Sequence, residues 1–564
     1  MPTEIPPIEK KPSNSEALDL TSSVNEFEEK IDVSVKNLEK IPEREKLYSR
    51  TVLTTFSVGM VDPFLTTIAI DMGITGSLMG WLRAITNLLG NFAQPFFGFF
   101  SDKVRRRTLF ISISNILYSS TWIVLLFINN VIFLIVMAGF LSLVASFGAP
   151  AWIALLGEVI PSKIRGKILA NVNWFSQFSF IASTILGGLL LNNIDFEISI
   201  GSWNFQLNIL LTIGIGLVAG IVAAFVIFSF NEKKARERSQ LLSKQIEKNE
   251  SLIQKEIDLD ECEIEPILVN DKDSQKVTSI DLGTICISTD KIEFRESEEL
   301  ITHKKTPKEK SEFSNRIAMM LRDKNFTNFT LIFGIQSFFM SFCWPLFPIR
   351  QRTDVGADYF GIAVFSVTMT IATLLTVRYA GQVSDLIGRK PQMFLNRLIL
   401  ATMPLGYMFS SKVWHIILMH ALICIPLGLN SSVMQAYLID ITPEEDRSMY
   451  IGFYNMFYGI ILFLGSLTGG YLVDFLMGEL ILFGYTPAFD GFKAVTIAFA
   501  VGFIGRLITA FPFLALKEVK QFPITLKELP KIVLKSKKFP VLLITILVFF
   551  AILIGFMFLM GYLP

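Results

Sequence analysis

Between Arg107 and Glu158 the chain carries no charged residue at all. A helix needs only about 20 apolar residues to cross a bilayer core roughly 30 Å thick, so this run holds two membrane spans, turning at Asn129-Asn130. Comparable charge-poor stretches recur along the sequence. They place spans at about 50–71, 77–101, 107–128, 131–157, 167–191 and 205–230. After a polar interval they resume at about 326–349, 357–383, 391–410, 413–440, 448–474 and 493–516. A last uncharged run, 540–562, is long enough to make a thirteenth. Fully 51% of the residues are hydrophobic and only 18% charged, the balance of an all-α polytopic membrane protein with polar appendages.

The charges that remain are unevenly placed. Residues 1–48 form a polar tail with no apolar run, so the first span is expected to direct its own insertion. Residues 231–325 are rich in Lys, Glu, Asp and Ser; that composition cannot bury a core and reads as a cytoplasmic linker, or as a regulatory loop. It separates segments 49–230 and 326–517. Residues 518–564 combine a basic amphipathic stretch, Lys520 to Lys538, with the thirteenth run. Lys103, Arg105, Arg106, Arg107, Lys163, Arg165, Arg389, Lys390 and Arg447 fall in turns on one side, and few basic residues fall in the alternate turns. A cytoplasmic N-terminus in the cell membrane is therefore expected.

Two of those basic turns are copies of one another. Gly98-Phe-Phe-Ser-Asp102-Lys-Val-Arg-Arg-Arg107 lies between spans 2 and 3, and Gly381-Gln-Val-Ser-Asp385-Leu-Ile-Gly-Arg-Lys390 between spans 8 and 9. Glycine allows close backbone approach, aspartate accepts backbone N–H bonds at a helix start, and the cations hold the turn at one surface. The pair resembles the signature loop of the major facilitator superfamily, Gly-x-x-x-Asp-[Arg/Lys]-x-Gly-[Arg/Lys]-[Arg/Lys]. Arg105 replaces the second glycine in the first copy, and Leu386 replaces a cation in the second. A second loop pair, Glu158-x-x-Pro161-x-x-x-Arg165 and Asp440-x-x-Pro443-x-x-x-Arg447, also resembles a superfamily pattern.

The displacement between copies is nearly constant. It is 283 residues for Asp102 and Asp385, and 282 for Glu158 and Asp440, Arg165 and Arg447, Gly187-Gly188 and Gly469-Gly470, and Pro63 and Pro345. Two six-helix bundles of one design, running in the same direction, are the pattern of a parallel internal repeat. The resemblance implies a 6+6 facilitator fold, with the extra C-terminal helix beyond the family's usual twelve, whose bundles rock to expose a central cavity alternately to each side. It also implies that Asp102 and Asp385 contact the starts of spans 11 and 5. With Arg106, Arg107, Arg389 and Lys390, and with Glu158, Arg165, Asp440 and Arg447, they would form a conformational lock. The plainer reading of these residues is as helix caps and topology charges.

A charge within a span costs roughly 2.5–3.5 kcal/mol on insertion scales and asks for a partner or a task. Asp62, beside Pro63 in span 1, either titrates and couples transport to protons or stays paired and holds a bend. Arg83, Asn87, Asn91 and Gln94 line one face of span 2, a cavity wall or an interhelical hydrogen-bonding strip. Arg83 suits an anionic group. Asn173 and Gln177 in span 5, Trp344 and Gln435, and Tyr454 and Tyr458 in span 11 complete the candidate substrate and coupling set. Arg378 and Arg397 are expected to snorkel to the surface, Arg506 has no evident partner, and His415 and His420 suit interface packing, with a proton relay as the alternative for one of them.

No nucleotide-binding Gly-x-x-x-x-Gly-Lys loop and no hydrolase motif is present, so neither a pump nor an enzyme is expected. Four cysteines without a Cys-x-x-Cys pair and three histidines give no metal site, and no cofactor is called for. The expected function is secondary active transport of a small solute by a monomer, with protons as a candidate coupling ion and no nucleic-acid partner. The alternative is a nutrient sensor of the same fold, to which the long linker and extra helix lend support. Multidrug efflux and organic-anion carriage both stay open, although span 5 has Gly187-Gly188 without the Gly-Pro element that drug–proton antiporters usually carry.

Overall fold

The computed structural model describes residues 44–241, 244 and 319–562, apart from 105, 161, 201–202, 378–387, 431–432, 444–446, 482–486, 519–537 and 560. The chain divides into two units, one of Met1–Leu242 with Asp323–Pro564 and one of Ser243–Arg322. Nearly all of the second unit lies outside the described residues.

The first unit is helical. In its N-terminal half come α1 (Arg44–Val61), a 3₁₀ turn at Asp62–Phe64, α2 (Leu65–Asp71), α3 (Gly76–Phe92), α4 (Gln94–Val104), α5 (Arg107–Val124), α6 (Val131–Val159), α7 (Ser162–Asn193) and α8 (Leu207–Phe228). A two-stranded antiparallel hairpin, β1 (Glu197–Ile200) and β2 (Trp203–Gln206), joins α7 to α8 and was hidden in the sequence, where it read as a loop. The C-terminal half has α9 (Lys324–Phe342), α10 (Leu346–Ile349), a π turn at Arg350–Asp354, α11 (Tyr359–Val377), α12 (Arg389–Met408), α13 (Val413–Asn430), α14 (Val433–Ile441), α15 (Arg447–Met477) and α16 (Gly491–Ala510), followed later by α17 (Lys538–Leu559).

Local chemistry sets the ends of these helices. Asn130 caps α6 by accepting from the amide of Ile132 at 2.7 Å, Thr75 caps α3 through Leu78, and Asp323 caps α9 through Asn325 and Phe326. Pro63 sits in the 3₁₀ turn that interrupts the first span, and Pro345 sits in the break between α9 and α10. The two prolines therefore break equivalent helices at equivalent places.

Among the described residues, nine helices are long and apolar enough to cross a membrane. The shortfall from thirteen has local causes. Span 2 is divided at Ala93 and carries the Arg83–Gln94 polar stripe, and α12 carries Arg389, Lys390, Asn396 and Arg397. The apolar part of α13 is short, and so is the apolar part of α17, Ile546–Leu559.

Packing follows the repeat. Within the N-terminal half α1 lies on α7 and α8, α3 on α6, and α5 on α6 and α8; in the C-terminal half α9 lies on α15 and α16, α11 on α13, and α12 on α13 and α16. The halves meet along α3 with α15 and α7 with α11. Glycines make this possible. A Cβ at Gly187 would fall 2.7 Å from the carbonyl oxygen of Met60, and one at Gly469 would fall 1.9 Å from that of Phe342, so the first glycine of each pair clamps its helix to the opening helix of its own half. The second glycine faces the other half. A Cβ at Gly188 would meet Ala363 at 2.7 Å, and one at Gly470 would meet the carbonyl oxygen of Gly76 at 2.3 Å.

Candidate functional site

The break at Asp62–Phe64 turns a carboxylate toward the neighbouring helices. Tyr118 of α5 donates to Asp62 Oδ1 at 3.3 Å. Arg83 of α3 lies within electrostatic reach of Asp62 without forming a direct ion pair. Its Nε and the side-chain nitrogen of Asn87, one turn on, are buried with no hydrogen-bond partner among the described residues. A buried donor left in this state carries a full desolvation penalty, which a bound acceptor would relieve.

Further along, at the end of α3 and the start of α4, the amides are committed. Asn91 Nδ2 donates to the carbonyl of Asn87 at 2.8 Å, and Gln94 Nε2 to that of Gly90 at 2.7 Å, leaving their side-chain oxygens as acceptors. This stretch touches the other half, since a Cβ at Gly459 of α15 would lie 3.0 Å from the Asn91 Cβ and 3.7 Å from the Asn87 carbonyl. Tyr458 precedes that glycine. On α7, Asn173 is exposed and Gln177 half-buried.

In the C-terminal half, Arg506 is fully buried beside the Cys343 thiol, with which it also bonds, and it donates to backbone oxygens: Nε to Phe339 at 3.1 Å, Nη2 to Met340 at 2.8 Å and Nη1 to Leu400 at 3.3 Å. The first two belong to the last turn of α9, where the break at Pro345 releases carbonyls. The Trp344 amide bonds Ser341 instead of Met340. Arg506 thus caps a helix C-terminus from outside, an answer sequence reasoning lacked because it depends on carbonyl positions. Gln336 accepts from Thr509, and its Nε2 is buried without a partner among the described residues. Trp344 is half-buried at the break.

Arg397 does not snorkel. It is 9% exposed, with its guanidinium carbon 5.0 Å from the ring centre of Phe333 and 5.8 Å from that of Phe513. Eight residues past Arg389 it lies roughly 12 Å along α12, and the surrounding rings close its path outward. Beside Phe333 the rings of Tyr454 and Tyr458 lie parallel, 6.0 Å apart at 4°. His420 is buried against Tyr407, 2.9 Å from its hydroxyl, and His415 lies edge-on to Trp414, both in packing roles.

At the basic face, Arg107 Nη2 reaches Glu158 at 3.1 Å and Nη1 donates to Ser101 at 2.7 Å. Arg236, just past α8, meets the other oxygen of Glu158 at 2.8 Å and Glu232 at 2.9 Å, and Glu232 accepts from the Thr108 amide at the start of α5. Sequence reasoning assigned 232 and 236 to the linker and missed them. In the C-terminal half Arg389 pairs with Asp440 at 2.5 Å, and the Lys390 amide donates to Glu518. Arg106 is exposed. Asp385 and Arg378, and the side chains of Asp102, Arg165, Gln435 and Arg447, lie outside the described residues.

The opposite face joins the halves. Arg352 grips Asp71 through two nitrogens, at 2.8 and 3.1 Å, and Tyr359 donates to the same carboxylate at 2.7 Å. The Ser77 amide at the start of α3 donates to Asp474 at 2.9 Å, and Trp81 donates to Tyr471 at 3.0 Å. These pairs, hundreds of residues apart in sequence, carry no local signal. They tie the two halves together at this face.

Comparison with known proteins agrees with this architecture. A family model described as Major Facilitator Superfamily matches residues 47–429 and 329–564. A variant of the nucleoside transporter NupG superposes with a TM-score of 0.54 at 10% identity, covering 85% of this chain and 100% of that one. A bacterial homologue of the human lysosomal transporter Spinster, inward-facing and unoccupied, gives 0.51 at 12% identity, covering 84% and 95%. Among curated sequences, the class H tetracycline resistance protein of Pasteurella multocida is 29% identical over 20% of this chain and 28% of its own length. The class E protein of Escherichia coli is 29% identical over 22% of this chain and 32% of its own. The chain thus spans about a third of the curated relatives it matches. On its repeated architecture and the family match over both halves, the chain belongs to the Major Facilitator Superfamily.

Proposed function

We propose that this facilitator carries a small solute with an anionic or strongly accepting group, which Arg83 and Asn87 recognise at the seam between the halves while Asp62 couples binding to protons. The single observation behind this reading is the unsatisfied pair of donors on α3, Arg83 Nε and Asn87 Nδ2, at the level where α3 meets α15. An arriving anion fills those donors and competes with Asp62 for Arg83, which links solute binding to the proton carried by the carboxyl. The same geometry suits alternating access, since the face joined by Asp71 and Arg352 must part for the solute to pass. In this reading the basic face is cytoplasmic, the membrane is the cell membrane, and α17 is a thirteenth crossing. Phe556 of α17 packs on Phe360, and Tyr562 donates to Asp358.

The test is flux in proteoliposomes under an imposed pH gradient. Arg83→Gln should lower uptake of anionic solutes by about tenfold or more while neutral solutes are spared. Asp62→Asn should abolish the response to the gradient while leaving exchange. Anion flux unaltered by Arg83→Gln removes the reading. The relatives named for tetracycline resistance favour a second reading, drug export. Cells expressing the chain should then tolerate more tetracycline than cells expressing Arg83→Gln.

A further inference from the structure

We infer that Arg397, with Tyr454 and Tyr458, forms a second anion subsite, in the C-terminal half, that receives the acidic group of a planar aromatic solute. The inference deepens the carrier reading and rests on it only in taking the ligand to be the cargo.

Charge balance is the first argument. Arg397 is nine-tenths buried, makes no hydrogen bond or ion pair among the described residues, and has its Nε fully enclosed without a partner. Among the described residues, the groups within its electrostatic reach are Tyr458, Tyr454 and a second cation, Arg506. No carboxylate is among them. Arg506 has a structural task, closing the open carbonyls of α9, whereas Arg397 has only ring faces. An uncompensated guanidinium at this depth is costly, and ring faces offset only part of that cost. The first half treats the corresponding position differently. Residue 115, displaced by 282, is Asn115, whose side-chain oxygen accepts from a buried arginine, Arg50, at 3.3 Å.

The second argument is the shape of the wall. Phe333 lies 5.4 Å from both Tyr454 and Tyr458, and Phe329 stacks on Tyr454 at 5.8 Å and 22°. The two tyrosine rings are parallel, and their hydroxyls make no hydrogen bond among the described residues. An aromatic cluster that carries two hydroxyls and one guanidinium without partners among the described residues suits an aromatic ring bearing a carboxylate or a similar anion. Tyr458 adjoins Gly459, which meets Asn87 and Asn91, so the subsite borders the seam that holds Arg83.

The experiment measures binding of 2-naphthoate to the full chain in nanodiscs, in chloride-free buffer, against 2-naphthamide, cyclohexanecarboxylate and chloride. Naphthoate should bind at least about tenfold more tightly than each of the others. Arg397→Gln should weaken it by about tenfold or more, Arg397→Lys by less, and Tyr454→Phe with Tyr458→Phe by several-fold. Naphthoate affinity unchanged in Arg397→Gln overturns the inference. So does equal affinity for naphthoate and cyclohexanecarboxylate, a comparison that needs no variant, and so does the absence of naphthoate binding at about 10 mM. The Arg83 reading fails separately: naphthoate binding through Arg397 with anion flux indifferent to Arg83→Gln leaves this subsite standing alone.

Discussion

Arg107 Nη2 lies 3.1 Å from Glu158, and the same relationship recurs 282 residues later between Arg389 and Asp440 at 2.5 Å. Each arginine opens the third span of its half, and each acid closes the fourth. The pairs join helices within a half, so they stiffen each bundle where it turns.

A double-mutant cycle tests this. Arg107 is nearly buried, and Glu158→Gln leaves it with weaker acceptors, so thermal stability in detergent should fall by the equivalent of about 1–3 kcal/mol. Arg107→Gln together with Glu158→Gln should cost less than the two single losses added. A double loss equal to that sum would show that the pair contributes nothing.

The Asp71–Arg352 contact predicts a population shift. Both groups are partly exposed and the fork is bidentate, so Arg352→Gln should disfavour the arrangement closed at this face by about 1–2 kcal/mol, roughly a tenfold change. Thiol labelling of Ser77→Cys, at the closed seam, reads the change directly. Labelling should accelerate in the Arg352→Gln background, and an unaltered rate would exclude a latch.

Gly470 offers a steric test of the same seam. Gly470→Val pushes a side chain into the Gly76 carbonyl, an overpacking that costs about 1–3 kcal/mol, so transport should drop with little loss of helix content. Full transport activity in that variant would mean the halves do not pack as described.

Asp490 gives a pH prediction outside the membrane. It accepts from the Lys493 amide at 2.9 Å and pairs with the Lys493 ammonium at 2.9 Å, and these bonds hold its carboxyl below the usual carboxylate range. A depressed folded value means the cap persists above the ordinary carboxylate pKa and is lost as pH falls through the lowered one. Amide protection in the first turn of α16, taken relative to the intrinsic exchange rate at each pH, should fall below about pH 4 and stay high at neutral pH. The same pH profile in Asp490→Ala would refute the assignment.

Much of this was legible in residues whose chemistry is local. Pro63 and Pro345 break helices wherever they fall, Asn130 caps the helix that follows it, and the doubled glycines mark close approach whatever the partner. The loop acids and arginines announced a repeat because their spacing was kept. What stayed hidden depended on the third dimension. Arg397 had a side chain long enough to snorkel, and only Phe333 and Phe513 forbid it. Arg506 found carbonyls that no sequence marks, and Asp71 found Arg352 from 281 positions away.

The glycine pairs carry one more consequence. Adjacent residues of a helix point about 100° apart, so Gly187 and Gly188, like Gly469 and Gly470, separate a permanent weld from a sliding surface by a single step of rotation. Inserting one residue upstream of either pair would turn the first glycine into the place of the second and bring a residue with a side chain against the opening helix, forcing the fixed contact apart. The phase of two helices, more than the identity of any side chain, then decides whether the machine turns or seizes.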